Sequence, residues 1–390
     1  MKILILAPAY FPAIGGAESY AKTMAENLSA RGHQVQVVTD HVDACPTSEL
    51  INGVRVRRLS KYQDLLADDT KLRWEQMAFS LLPEIDEFIS QDGGLPDVIF
   101  ANANDTAIYG SMVSLALNRP LVCSFHEQEP ERGPLGFGRS NFVYKHLPAS
   151  AYLAGSRFYH QKALAHGANP PQVHLINHGV DAAKFKPTDS HTAPVDTGEF
   201  RILLSGRIAP RKQQTFAVEL CARVRAKGVP ARLILAGRAH SSDRMYYESL
   251  VSLIDTHQLQ DHVSLLTDVS HDQMPETYQN ADLVIQPSVA EGLGLAVIEA
   301  MLVGKPVMVS DTTGLSEIIV DDRIGVTLPP GDLEVWADAV AFLWQGPDLR
   351  TSLGAKAREH ALQNYSVVNM VDETESLLKG VVQQWSRVSN

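Results

Sequence analysis

Cysteine is scarce in this chain. Cys45, Cys123 and Cys221 are the three in 390 residues, far apart and without a Cys-x-x-Cys pair. That excludes a zinc ribbon and a disulfide framework, and it leaves reduced, mostly buried thiols. No apolar run approaches the ~20 residues of a membrane-spanning helix. The opening MKILILAPAYFP carries one lysine and an apolar stretch broken by Pro8 and Pro12. A secretory signal needs a longer apolar core and a small-residue cleavage site, so a cytoplasmic chain is expected. Positive charge is in the minority, with 34 Lys and Arg against 45 Asp and Glu and a net charge of −11. Such a field repels nucleic acid and anionic membrane as bulk partners. There is no repeat at solenoid period and no low-complexity tail.

What is present is alternation. Short apolar runs at 2–7, 34–39, 54–59, 97–101, 121–124, 152–154 and 173–176 read as strands, with helical patterns between most of them. Ile3, Leu4, Ile5 and Leu6 are consecutive, the mark of a strand covered on both faces. The rhythm pauses over 181–199, where Pro187, Pro194 and Gly198 stand among small polar residues, and this reads as a linker. It then restarts, with strands at 200–204, 232–236, 262–266, 282–286 and 306–309, and helices at 212–227, 243–257 and 295–303. The expected class is α/β, two doubly wound halves facing across a cleft. Residues 1–185 form the first domain and 198–369 the second, and a C-terminal helix over 370–390 packs back on the first. In such sheets, ligands sit beyond the carboxyl ends of the strands, so the informative segments are the loops that follow them.

Three loops stand out. After the first strand, Gly15 and Gly16 precede a helix, where backbone amides and the helix dipole favour an anion; a bare turn fits equally. After 200–204 comes Ser-Gly206-Arg207-Ile-Ala-Pro-Arg211-Lys212. A guanidinium and an ammonium at this spacing can clamp a diphosphate in place of a metal, and a solvated basic loop is the alternative. Asp-x-Asp, a common way to hold a metal on a nucleotide diphosphate, occurs nowhere, so no metal is expected. After 282–286, Glu291-Gly292-Leu293-Gly294-Leu295 leads into a helix that carries Glu299. Eight positions on one helix return to nearly the same face, so both carboxylates are expected to point one way. A capping acid and a solvated acid are the alternative, but Glu299 has Val297, Ile298, Ala300 and Met301 around it. A buried acid needs partners, and sugar hydroxyls would serve.

These residues together resemble the retaining glycosyltransferases of family four, with the GT-B fold of two Rossmann-like domains. The resemblance rests on Gly15-Gly16-Ala17-Glu18, Gly206-Arg207 with Lys212, and Glu291 to Glu299. Ala281-Asp282 to Pro287-Ser288 and Gly304-Lys305-Pro306-Val307 add to it, so that it covers nearly the whole chain. It implies that Arg207 and Lys212 bind a donor diphosphate, that Glu299 holds the ribose and that Glu291 holds the donor sugar. Amides around Gly292, Leu293, Gly294 and Leu295, with Gly206 and Gly16, would meet sugar and phosphate. Val269 belongs to the loop against the base. His126 stands where the family often has a histidine near the donor sugar; by itself it reads as an ordinary loop histidine. Asn102, Asn104, Tyr109, His178 and the Gly- and Pro-rich segment 127–141, a mobile lid, are expected on the acceptor side. His178, Gln213 and Glu127 depart from the family's usual Asn, Gly and Asp.

The resemblance thus implies a metal-independent enzyme of carbohydrate biosynthesis without cofactor. It would move a hexosyl unit from a nucleoside-diphosphate sugar, UDP favoured, to a hydroxyl of a sugar or small-molecule acceptor. A nucleotide-sugar epimerase of similar fold and a catalytically inactive nucleotide-sugar-binding protein are the alternatives. Arg55, Arg57, Arg58, Lys61, Lys71 and Arg73 cluster in the first half, diluted by Asp64, Asp68 and Asp69. A solvated face is expected there, without stable membrane attachment.

Overall fold

The computed structural model describes residues 1–13, 15–43, 45–59, 74–91, 94–126, 136–187 and 198–388. Two compact units divide the chain: Met1–His178 with Val368–Asn390, and Gly179–Val367.

The first unit is built on eight strands, β1 (Lys2–Leu6), β2 (Gln34–Asp40), β3 (Ser48–Ile51), β4 (Val54–Leu59), β5 (Val98–Ala101), β6 (Leu121–Ser124), β7 (Ala151–Ala154) and β8 (Val173–Leu175). Their order is β3-β4-β2-β1-β5-β6-β7-β8. All neighbours are parallel except β3 and β4. Ile3 to Leu6 and all of β5, β6 and β7 are buried, because helices cover both faces of the sheet. The antiparallel β3 is absent from the sequence-based expectation. Its turn was readable: Asn52 and Gly53 both take positive φ, 47° and 82°, between the paired Ile51 and Val54. Those are the dihedral signs of a two-residue type I′ hairpin.

The helix Val367–Val388 lays Met370, Val371, Leu378 and Val381 into the first unit from Val368 onward. Arg31 reaches Asp372 at 2.6 Å and Glu375 at 2.8 Å, and His33 reaches Glu375 at 3.0 Å.

The second unit has six parallel strands, β9 (Phe200–Ser205), β10 (Ala231–Ala236), β11 (Val263–Leu266), β12 (Leu283–Gln286), β13 (Val307–Ser310) and β14 (Val326–Leu328), in the order β11-β10-β9-β12-β13-β14. One face packs under Trp336, Phe216 and Leu220, the other under Tyr278, Ile298 and Met301. The unit begins before the expected linker. Val180 bridges Ser366, and a Cβ on Gly179 would lie 2.5 Å from the Ser366 carbonyl oxygen, so this close approach requires glycine. Asp181 Oδ1 then accepts from the amides of Ala183 and Lys184, and Phe185 is buried in the core. Only 188–197 of the expected linker lies outside the described residues.

One helix starts later than its periodicity predicts. Pro210–Lys212 forms a 3-10 turn and Gln213 is left-handed, φ 59°, before the helix Gln214–Ala226 begins. Lys212 is thereby turned inward ahead of the helix.

Candidate functional site

In the second unit β9 lies between β10 and β12, so the loops leaving β9 and β12 emerge side by side where strand order reverses. That is where open α/β sheets bind ligands. The β9 loop brings Gly206, Arg207, Arg211 and Lys212; the β12 loop brings Ser288, Glu291 and Gly292–Gly294.

The two loops meet on Glu291. Its Oε1 accepts from Lys212 Nζ at 2.5 Å and from Ser288 Oγ at 2.8 Å, and its Oε2 accepts from Arg211 Nη1 at 2.9 Å. Gln286 Nε2 donates to Ser288 Oγ at 2.7 Å and orients that hydroxyl. Both Glu291 and Lys212 are buried. Burial alone would raise the Glu291 carboxyl, but the charges of Lys212 and Arg211 outweigh it and hold the group below its usual value. Burial pulls the Lys212 ammonium down against the opposing pull of Glu291. Gly206 has φ 140°, and a Cβ there would lie 3.3 Å from Lys212 Cε and Nζ, so glycine leaves the lysine its place. Arg207 stands apart, half exposed, with Asp243 Oδ2 4.0 Å from its Nε.

Glu299 has a different set of partners. Its Oε2 accepts from the Tyr278 hydroxyl at 2.7 Å, and His271 Nε2 lies 3.3 Å from its Oε1. Desolvation, then the Glu299 charge, pushes the Tyr278 phenol well up, so it is a fixed donor. The helix bearing Glu299 runs only over Leu295–Leu302. Glu291 therefore precedes it, and the eight-position periodicity expected from the sequence does not relate the two acids. Gly294 caps that helix without a side-chain acceptor, and Val269, Leu293 and Leu295 pack against the core beneath.

In the first unit β1 lies between β2 and β5, so the loops after β1 and β5 again meet at a reversal of order. Asn102, fully buried, donates from Nδ2 to the Ala17 carbonyl at 3.0 Å, which leaves Oδ1 to accept from His126 Nε2 at 2.7 Å. That fixes His126 as the Nε2–H tautomer. Tyr20, His126 and His178 form a ring triangle with centroids 4.5, 4.7 and 4.8 Å apart. Burial, then the neighbouring His178, holds His126 well below the usual imidazole range; burial lowers His178 to about 4. Both rings are neutral at pH 7. Tyr159 donates its hydroxyl to the His126 carbonyl at 2.8 Å.

Several expectations need correction. Tyr109 is fully buried in the first unit's hydrophobic core and offers no face to an acceptor. Asn102 acts on His126 rather than standing open, because its amide is spent on Ala17 and the imidazole. Asn104 opens the helix Asn104–Leu117 and is partly buried. At Gly15, a Cβ would lie 2.1 Å from Glu18 Oε2, so the chain's own carboxylate sits over the first turn of the helix Gly16–Ala30. Of the basic cluster's described members, Arg58 is fully buried against Glu49, Arg57 lies 3.6 Å from Glu84, and Arg55 covers the Phe88 ring. Lys61, Lys71 and Arg73, and residues 127–135 of the expected lid, lie outside the described residues; the helix Gly136–His146 follows.

Arg211, Ser288, Tyr278 and Tyr20 were given no role from the sequence. Arg211 had a signal, since it stands in the same basic loop as Lys212. Ser288 belongs to the stretch that adds to the resemblance, while Tyr278 and Tyr20 had no signal, because core-patterned tyrosines reveal their partners only in the folded chain. Among the described residues, no group of three or more His, Cys, Asp or Glu is placed to hold a metal ion, and no helix is long and apolar enough to cross a membrane.

Residues 14–184 match the family model described as Glycosyltransferase Family 4, and residues 185–360 match Glycosyl transferases group 1. A D-inositol 3-phosphate glycosyltransferase of Rhodococcus erythropolis is 26% identical over 381 residues, covering 92% of this chain and 85% of its own. An uncharacterised glycosyltransferase of Methanocaldococcus jannaschii is 27% identical over 404 residues, covering 99% and 100%. Among solved structures, sucrose-phosphate synthase from Thermosynechococcus elongatus superposes with a TM-score of 0.81 at 20% identity, over 98% of this chain and 99% of that one. Anabaena HepE in complex with UDP gives 0.79 at 22% identity, over 97% and 100%. At these identities the structural likeness is one of fold.

Proposed function

The chain belongs to the glycosyltransferases of family four, with their GT-B fold of two Rossmann-like domains, and from that premise we propose that it is a retaining hexosyltransferase. Its donor is a nucleoside-diphosphate sugar, UDP favoured, and its acceptor a hydroxyl of a sugar or small molecule. The observation that carries this reading is the meeting of Arg211, Lys212 and buried Glu291 at the strand-order reversal, with Arg207 on the same loop. When the donor's anomeric bond breaks, negative charge grows on the β-phosphate and the sugar becomes oxocarbenium-like. Preset cations beside the phosphate stabilise that charge without reorganising, the contribution that is usually largest. In a front-face substitution the departing phosphate itself takes the acceptor proton, so a paired-carboxylate glycosidase arrangement is not needed. Glu299, steadied by Tyr278, is suited to accept from ribose hydroxyls, and neutral His126 to orient the sugar.

Anabaena HepE was solved with UDP and with UDP-glucose, which supports uridine in the donor. The relative named for D-inositol 3-phosphate supports a small hydroxylated acceptor. The test is a thermal-shift panel of UDP, GDP and ADP, followed by transfer from the matching donor with the product anomer read by NMR. A nucleotide at 100 times its Kd raises stability by about 2.7 kcal/mol. No shift with any of the three, or an inverted anomer, overturns the reading. EDTA is expected to leave the rate nearly unchanged, since this reading gives the phosphate's charge to Arg207 and Lys212 rather than to a metal; loss restored by manganese overturns that expectation.

A further inference from the structure

Glu291 is held by two cations of unequal standing. Lys212 is buried, its ammonium on Oε1, and under the proposed function it must also serve the donor diphosphate. Arg211 is different. Its side chain is 36% exposed, and its Nη1 reaches both Glu291 Oε2 at 2.9 Å and the Ala290 carbonyl at 3.3 Å. Its own carbonyl accepts from the Val289 amide at 3.0 Å. Arg211 therefore ties the β9 loop to the β12 loop through both main chain and side chain, at Val289, Ala290 and Glu291. The neighbouring β13 loop adds a hydrogen bond from Thr312 to the Ser288 carbonyl, and Gly314, where a Cβ would lie 2.1 Å from the Glu291 carbonyl oxygen. Neither brings charge. The charges that bear on the carboxylate are Lys212 and Arg211, with Ser288 as its neutral donor.

We propose that Arg211 is a positioning residue: it keeps Glu291 ionised and aimed when Lys212 turns to the donor's diphosphate. This rests on the proposed function. A buried carboxylate that shares its lysine with a phosphate loses part of its neutralising charge, and without a second cation it takes up a proton or swings away. A guanidinium bound to the adjacent backbone is suited to this role, because its planar fork keeps its geometry while the lysine's flexible stem moves.

Two charge-altering variants test it in the full-length protein, with UDP-glucose as donor and UDP release as the readout. Arg211→Ala is expected to lower kcat by about tenfold with a smaller change in donor KM, the signature of a group felt in the transition state. The acid limb of its kcat–pH profile moves upward, because Glu291 then protonates more readily. Arg211→Lys restores the limb and part of kcat, and it keeps the experiment decisive if the alanine variant does not fold. A merely structural role lowers melting temperature and active fraction but does not move the limb. An unmoved limb, or a raised KM with unchanged kcat, overturns the proposal while wild-type turnover leaves the function standing. Absence of wild-type turnover with UDP-, GDP- and ADP-glucose overturns the function and this proposal with it.

Discussion

Lys212 illustrates how a residue assigned to a ligand also belongs to the fold. It is the buried counter-charge of Glu291, so Lys212→Ala is expected to do more than weaken donor binding. Leaving a buried carboxylate with one partner fewer costs about 3–5 kcal/mol. Urea denaturation should show that loss, and Lys212→Ala with Glu291→Gln should lose less than the sum of the single variants, because both touch one interaction. Additive losses would show that the pair is not coupled. His178 gives a second residue-scale prediction. Its folded value near 4 lies below the ordinary imidazole value of about 6.5, so the unfolded chain binds the proton first. The stability contribution is complete above about pH 6.5 and declines as pH falls toward 4, by about 1.4 kcal/mol per pH unit at most. His178→Asn should flatten the urea midpoint against pH in that window; an unchanged slope would assign the acid sensitivity to other groups. Burial beside Tyr20 and His126 causes this shift, and no spacing in the sequence foretells it.

At the scale of elements, the C-terminal helix Val367–Val388 is fastened by Glu375. Hydrogen bonds from Lys379, Arg31 and His33 hold its carboxyl at about 2. Its contribution is present above the ordinary glutamate range and is lost as pH falls from about 4.3 toward 2. The network is partly solvated, so Glu375→Gln should cost about 1 kcal/mol or less. Amide exchange should quicken along 368–388 in that variant; exchange as slow as in the wild type would assign the attachment to Met370, Val371, Leu378 and Val381 with the Arg31–Asp372 pair. The helix and its Glu375–Lys379 pair are legible as local pattern, whereas Arg31 and His33 arrive from the other end of the chain. Similarly, the strands β9 to β13 were readable as apolar runs, and the loops after β9 and β12 as carriers of chemistry. The late start of the helix Gln214–Ala226 was not, because Pro210 and a left-handed Gln213 interrupt a stretch whose hydrophobic period looks continuous.

For the whole molecule, charge placement bears on the expectation that the protein does not attach stably to membranes. Residues 1–185 hold 16 basic and 19 acidic side chains, so the first half is near neutral although the chain carries −11. Among the described residues of that cluster, Arg58 is sealed against Glu49, Arg57 faces Glu84 and Arg55 lies over Phe88. Each lysine or arginine at an anionic bilayer contributes about 1 kcal/mol only when it reaches the lipid surface. Co-sedimentation with anionic liposomes at physiological salt should leave the protein in the supernatant; pelleting that is lost on Arg55→Ser and Arg57→Ser would reverse this. Sequence alone determined the α/β class, the break into two sheets and the loops that carry charged and glycine residues. These follow from local period and composition, which a parallel sheet covered on both faces imposes on every strand. Only the tertiary structure decided that Glu291 faces Lys212 and Arg211 while Glu299 faces Tyr278, that Tyr109 is core, and that Asn102 sets the His126 tautomer. Those outcomes depend on which loops emerge beside each other when β9 meets β12 and β1 meets β5. Strand order is set by long-range burial, not by neighbours in sequence.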